Sequence, residues 1–128
     1  MPNAFVEWIE APTRFTGASG SVQYCRVADI LDVGNFTTVV ISARAVAITT
    51  AEATLEIQTA MSKDAPDADW KTLTNGTLDI DTVGEHIATS KPSDAQPMWR
   101  WLRYKVGYAS ANFDVTIILS LLLRETNS

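Results

Sequence analysis

The stretch Phe113 to Arg124 constrains this chain more than any other. Phe113, Val115, Ile117, Leu119, Leu121 and Leu123 alternate without a break against Asp114, Thr116, Ile118, Ser120, Leu122 and Arg124. Side chains repeat on every second residue only in extended chain, whereas a helix places its apolar residues three and four apart. The segment therefore reads as a strand with one buried face. Just before it, Leu102, Tyr104, Val106 and Tyr108 alternate against Arg103, Lys105 and Gly107, and a short connection, Ala109 to Asn112, joins the two runs. That order predicts an antiparallel C-terminal hairpin within Met98 to Arg124.

Further runs of the same kind precede it. Val22 to Val27 reads as a strand leading to a turn at Gly34-Asn35. Phe36 to Ile48 is rich in β-branched residues, which fit a pleated, half-buried surface. Val39, Ile41, Ala43, Ala45 and Ala47 share one face of it, and Val40, Ser42, Arg44, Val46 and Ile48 the other. Neither face is plainly polar, so the strand is expected to be central and covered on both sides over part of its length. Ala53 to Met61 alternates cleanly, with Ala53, Leu55, Ile57, Thr59 and Met61 inward. Trp70 to Leu73 and Thr77 to Ile80 flank Asn75-Gly76, a two-residue hairpin signal. A weaker strand spans Thr82 to Thr89, and the apolar residues Phe5, Val6, Trp8 and Ile9 open an N-terminal arm or extra strand over residues 1–20.

About eight short strands separated by turns, with no amphipathic helix, define an all-β chain. The expected architecture is a two-sheet antiparallel β-sandwich, jelly-roll-like, forming a single domain over residues 1–128. At 46% apolar and 20% charged residues the composition is that of an ordinary globular domain.

A formal charge of −5 argues against nucleic acid as a partner, because phosphate binding needs clustered Lys and Arg. No segment approaches the ~18 apolar residues of a membrane-spanning helix, and Met1 to Glu10 lacks a basic stretch followed by an apolar run. The expectation is a protein without a secretion signal and without a membrane. Cys25, the single cysteine, has no partner for an internal disulfide and reads as a small strand hydrophobe.

Four sets of residues are candidates for chemistry or recognition. Asp64, Asp67 and Asp69 lie in one loop and Asp79, Asp81 and Glu85 in another. Calcium takes six to eight oxygens from such loops, but the first has Pro66 and lacks the glycine and terminal glutamate of an EF-hand, so solvated acids are expected and no metal or cofactor is assigned. Trp99 and Trp101 stand two apart, which on a strand would aim both rings to one side. Such a pair serves the core of a two-sided sheet, a subunit interface or, with Tyr108, a surface that stacks on sugar rings. His86 has no nucleophile elbow near it, and no phosphate-binding glycine loop or metal-spaced His or Cys pair exists, so no catalytic residue is assigned and the chain is not read as an enzyme. Finally, Ile118 and Leu122 are apolar on the face that should be polar if it met water. A second cover from another copy of the chain explains them, and Trp99, Trp101, Ile118, Leu122, Phe5 and Trp8 are the interface candidates.

The order of segments ILDVGNFTTVVISARAV, ATLEIQTAMSKDAPDADWKTL and RWLRYKVGYASANFDVTIILSLLLR resembles small bacteriophage virion proteins of β-sandwich form, of the capsid-decoration or tail-associated kind. The positions that carry the resemblance are Asp32, Trp70, Arg100, Arg103, Phe113, Val115 and Ile117. Where that family often has a glycine-containing turn before its tryptophan, this chain runs from Ser62 to Trp70 without glycine. The resemblance implies a noncatalytic assembly role in a phage or phage-like particle, with itself and other particle proteins as partners. It also implies a location in the virion or in cytoplasmic assembly. A carbohydrate-binding module using Trp99 and Trp101 is the alternative, with a glycan as its partner.

Overall fold

The computed structural model describes residues 3–49 and 52–125. Among them run nine strands: β1 (Asn3–Gly17), β2 (Val22–Tyr24), β3 (Leu31–Asp32), β4 (Thr38–Ile48), β5 (Ala53–Ala60), β6 (Lys71–Ile80), β7 (Gly84–Ser90), β8 (Trp101–Gly107) and β9 (Phe113–Arg124). Single 3-10 turns occur at Val27–Asp29 and Asp67–Asp69. Met1 and Pro2 of the expected arm, and residues 126–128 of the expected domain, lie outside the described residues.

The strands form two sheets, one in the order β1-β9-β4-β7 and the other in the order β2-β8-β5-β6, with β3 also paired to β8. Leaving the two-residue β3 aside, the antiparallel pairs nest: β1 with β9, β2 with β8, β4 with β7, β5 with β6. A ribbon of nested pairs folded over into two layers is the jelly roll. The sandwich is filled by β9, through Val115, Ile117, Leu119 and Leu121, with Ile41 of the neighbouring β4 beside them, facing Leu102 and Val106 of β8 and Leu55 and Ile57 of β5, all fully buried. Each such side chain contributes roughly 1.5–3 kcal/mol relative to exposure.

This topology corrects the expected C-terminal hairpin. β8 pairs only within the second sheet and β9 only within the first, so the connection Ala109 to Asn112 crosses between layers. The alternation of both runs is real, but two apolar faces in one hairpin would lie side by side in one layer. Placed in opposite sheets about 10 Å apart they cover each other.

Three smaller expectations also change. Asn75-Gly76 does not turn a hairpin: β6 runs on through it, and the ladder to β5 slips between Glu56–Thr77 and Gln58–Thr72. Asn75 takes a left-handed φ of 63°, and a Cβ on Gly76 would stand 2.9 Å from the Ile57 carbonyl, so the pair builds a bulge pressed onto β5. Met61 is exposed rather than inward, because β5 ends at Ala60. In β4 a bulge between Ala45 and Ala47 reverses the facing, which leaves Ala47 exposed and packs Ile48 against the core.

The N-terminal stretch is an edge strand of its own sheet, with Ile9 and Phe15 buried. Its ladder to β9 slips twice, between Glu7 and Ile9 and between Ile9 and Thr13. Pro12 falls in the second irregularity, where the lack of an N–H costs nothing and blunts the open edge.

Candidate interaction surfaces

The outer face of the first sheet can be read from the register. Phe5 and Val40 both stand opposite Leu122, which makes one row across β1, β9 and β4. The next row holds Glu7, Ser120, Ser42 and Ile87, and the one after it Ile118, Arg44 and Glu85. Phe5 is 65% exposed and Ile87 61%, while Leu122, Ile118 and Val40 are half-buried. Five apolar side chains therefore form a stripe on a face that no other described part of the chain covers. At its far end Arg14 Nε and Nη2 donate to both carboxylate oxygens of Asp114, at 2.8 and 2.6 Å. That hydrogen bond, with the arginine's charge, holds the Asp114 pKa below the usual carboxylate value.

Trp8 is not part of this stripe. Its indole N–H donates to the Asp29 carbonyl at 2.7 Å, and its ring meets Tyr104 edge-on at 5.1 Å between centroids. Phe15 meets the same tyrosine at 6.0 Å. Tyr104 is thereby enclosed, and burial pushes its pKa up to about 12.

On the second sheet's outer face the alternation that should leave Arg103 in solvent instead buries it. The guanidinium lies 4.5 Å from the Tyr24 ring and 4.7 Å from Trp70, donates to Gln58 Oε1 at 2.8 Å and pairs with Asp67 at 2.8 Å. Trp70 itself is buried and donates to the Ala65 carbonyl. The loop between β5 and β6 is thus folded back as a lid over Arg103. Sequence periodicity could not show this, because the lid comes from residues distant along the chain. The one available hint was an aromatic, Trp70, directly after a polar loop.

Trp99 and Trp101 are separated by a break in the strand. β8 starts at Trp101, and the Thr59 hydroxyl takes over the pairing before it, accepting from the Trp99 N–H at 2.8 Å and donating to the Trp101 carbonyl at 3.0 Å. Strand alternation therefore does not align the two rings. Trp101 carries Arg100 at 5.2 Å and Lys63 at 5.8 Å from its centroid, whereas Trp99 lines a hollow of about 320 Å³ with Met61, Lys71 and Asp69.

The remaining candidates are scattered. Asp67 is committed to Arg103, and the Glu85 carboxylate accepts from Ser42. Among the described residues no three His, Cys, Asp or Glu side chains come together as a metal site. His86 Nε2 sits 2.9 Å from the Thr82 carbonyl oxygen. Cys25 is buried beside Tyr104, and desolvation raises its thiol pKa. No helix among the described residues is long and apolar enough to cross a membrane.

The landmark polar positions pair with one another. Arg100 donates to both carboxylate oxygens of Asp32, at 3.2 and 3.0 Å, and Arg103 stacks on Trp70, while Phe113, Val115 and Ile117 fill the core. The hydrogen bond from Arg100, with that from the Gly34 N–H, lowers the Asp32 pKa. No protein-family model and no curated protein matches this sequence.

Proposed function

We propose that this protein is a noncatalytic assembly component of a phage or phage-like particle that acts through protein–protein interfaces, first of all with copies of itself. The observation that carries this reading is the Phe5–Leu122–Val40 row with Ile87 and Ile118 beside it, apolar side chains on an outer sheet face that the described residues of their own chain leave uncovered. Apolar patches of this kind mark interaction surfaces. A face four strands wide and as long as the 11-residue β4 covers about 700 Å², close to the ~800 Å² per partner of a standard interface. The small side chains of Ser42 and Ser120, opposite each other at its centre, let a neighbouring surface approach closely.

The jelly roll is shared by capsid and lectin domains and does not itself choose between them. The alternative, a sugar platform at Trp99 and Trp101, draws less support from the geometry, since the rings are not aligned by a strand and two cations already lie over Trp101. Sedimentation equilibrium of the purified chain tests the assembly reading. The expected result is an oligomer at micromolar concentration, and a strict monomer at high micromolar concentration overturns self-assembly.

A further inference from the structure

A second, chemically different site lies on the outer face of the other sheet. There a cavity of about 310 Å³ opens between the end of β8 and the chain leading into β2, bordered by Ser21, Thr54, Glu56, Thr77, Lys105 and Tyr108. Its wall depends on Gly107. A Cβ there would fall 2.7 Å from the Ser21 carbonyl oxygen, so only glycine lets the Ser21–Val22 backbone close against β8.

The polar groups of this cavity are arranged as alternating donors and acceptors. Glu56 accepts from the Thr72 hydroxyl at 3.1 Å on one oxygen and pairs with Lys105 Nζ at 3.2 Å through the other. Both side chains keep part of their surface exposed, 28% for Glu56 and 21% for Lys105. Each carboxylate oxygen retains a free lone pair, and the ammonium retains N–H groups beyond the one shared with Glu56. The Ser21 hydroxyl donates to the Ala18 carbonyl at 2.7 Å, which leaves its oxygen free to accept. Tyr108 is anchored by donating to Glu52 at 2.8 Å, so it presents a fixed aromatic wall.

The geometry points to a binding site for a neutral polyhydroxylated ligand, a saccharide unit, in this cavity. The adjacent opposite charges narrow the class: an anion meets Glu56, a cation meets Lys105, and a zwitterion would have to replace the ion pair that the two already form at 3.2 Å. A pair of neighbouring hydroxyls, each donor and acceptor at once, satisfies the two together while the apolar side of a sugar ring lies against Tyr108. The size matches the lower end of small-ligand pockets, enough for one or two rings. This site does not depend on the assembly reading, which uses the opposite sheet.

The test is to probe the full chain against an array of neutral and sialylated glycans and to map the strongest hits by amide chemical-shift titration. Neutral glycans are expected to bind, with shifts at Thr54, Thr77, Gly107 and Tyr108. Glu56→Gln and Thr77→Val are each expected to weaken binding about tenfold, with an unchanged amide spectrum elsewhere showing that each variant is folded; Trp99→Ala is expected to leave binding unchanged. Three results overturn the proposal: no neutral glycan binding up to millimolar concentration, binding of acidic glycans alone, or shifts confined to Trp99 and Trp101.

Discussion

Arg103 and Asp67 meet at 2.8 Å across the outer surface of the second sheet, yet the arginine side chain is 9% exposed and that of the aspartate 72%. The pair is therefore unequal. Most of what holds Arg103 comes from Tyr24, Trp70 and Gln58, and Asp67 adds a screened contact from the solvent side. Arg103→Ala removes two cation–π contacts and leaves buried Gln58 without its donor, so it should cost about 2–4 kcal/mol in urea unfolding. Asp67→Asn should cost less than about 1 kcal/mol. Arg103→Lys should recover little, because a point charge cannot stack between two rings and reach Gln58 together. Equal losses for the Arg103 and Asp67 variants would refute this division.

Two adjacent leucines of β9 offer a contrast. Leu121 is fully buried and Leu122 is half-buried on the outer face. Leu121→Ala should cost about 3–5 kcal/mol of stability as a cavity-forming change. Leu122→Asp, alone or with Phe5→Asp, should leave the unfolded-to-folded balance of the single chain within about 1 kcal/mol while shifting the sedimenting mass to the monomer. Persistence of the oligomer in the double variant would show that the assembly contact lies elsewhere.

Ser90 stands opposite Val39 at the end of β7, fully buried, and among the described residues its hydroxyl alone is buried without a hydrogen-bond partner. A hydroxyl in that position has lost its water and gained nothing in return. Ser90→Ala should be neutral or stabilising by up to about 1 kcal/mol. A clear fall in melting temperature would mean that the hydroxyl is satisfied in solution.

The two ends of the pH scale should act through different groups. Asp114 and Asp32 have pKa values lowered by Arg14 and Arg100. Their pairing therefore stabilises the fold above the unfolded aspartate pKa of about 3.9 and is lost as pH falls through the lower folded values. Tyr104 behaves oppositely: its pKa is raised to about 12, so its contribution is complete below the unfolded value of about 10 and disappears as pH rises through the folded one. Ultraviolet titration of the folded chain should show Tyr104 ionising near 12, and Tyr104→Phe should remove that step. Ionisation of Tyr104 near 10 in the native state would contradict its enclosure by Trp8 and Phe15.

Periodicity made the fold class legible because burial on one face leaves a period of two in each strand. Leu119 and Val106 could be placed in the core from spacing alone. Pairing was less accessible: the Asn75-Gly76 dipeptide signals a left-handed residue, which a bulge uses as readily as a turn, and nothing local told β8 and β9 to join different sheets. Of the surfaces, the mismatch of Ile118 and Leu122 with a solvent face was visible at once. The Arg103 enclosure and the Glu56–Lys105 cavity were not, since each is assembled from segments distant along the chain that meet only once the second sheet has formed.

The position of β9 between β1 and β4 bears on how the molecule is made. Both neighbours are synthesised earlier: β4 can pair with β7 beforehand, whereas β1 has β9 as its one neighbour in that sheet and stays unpaired there until β9 has been made. The open edge of β1 must keep from pairing with strangers over that interval, and the first sheet is completed only when β9 inserts between β1 and the β4–β7 pair.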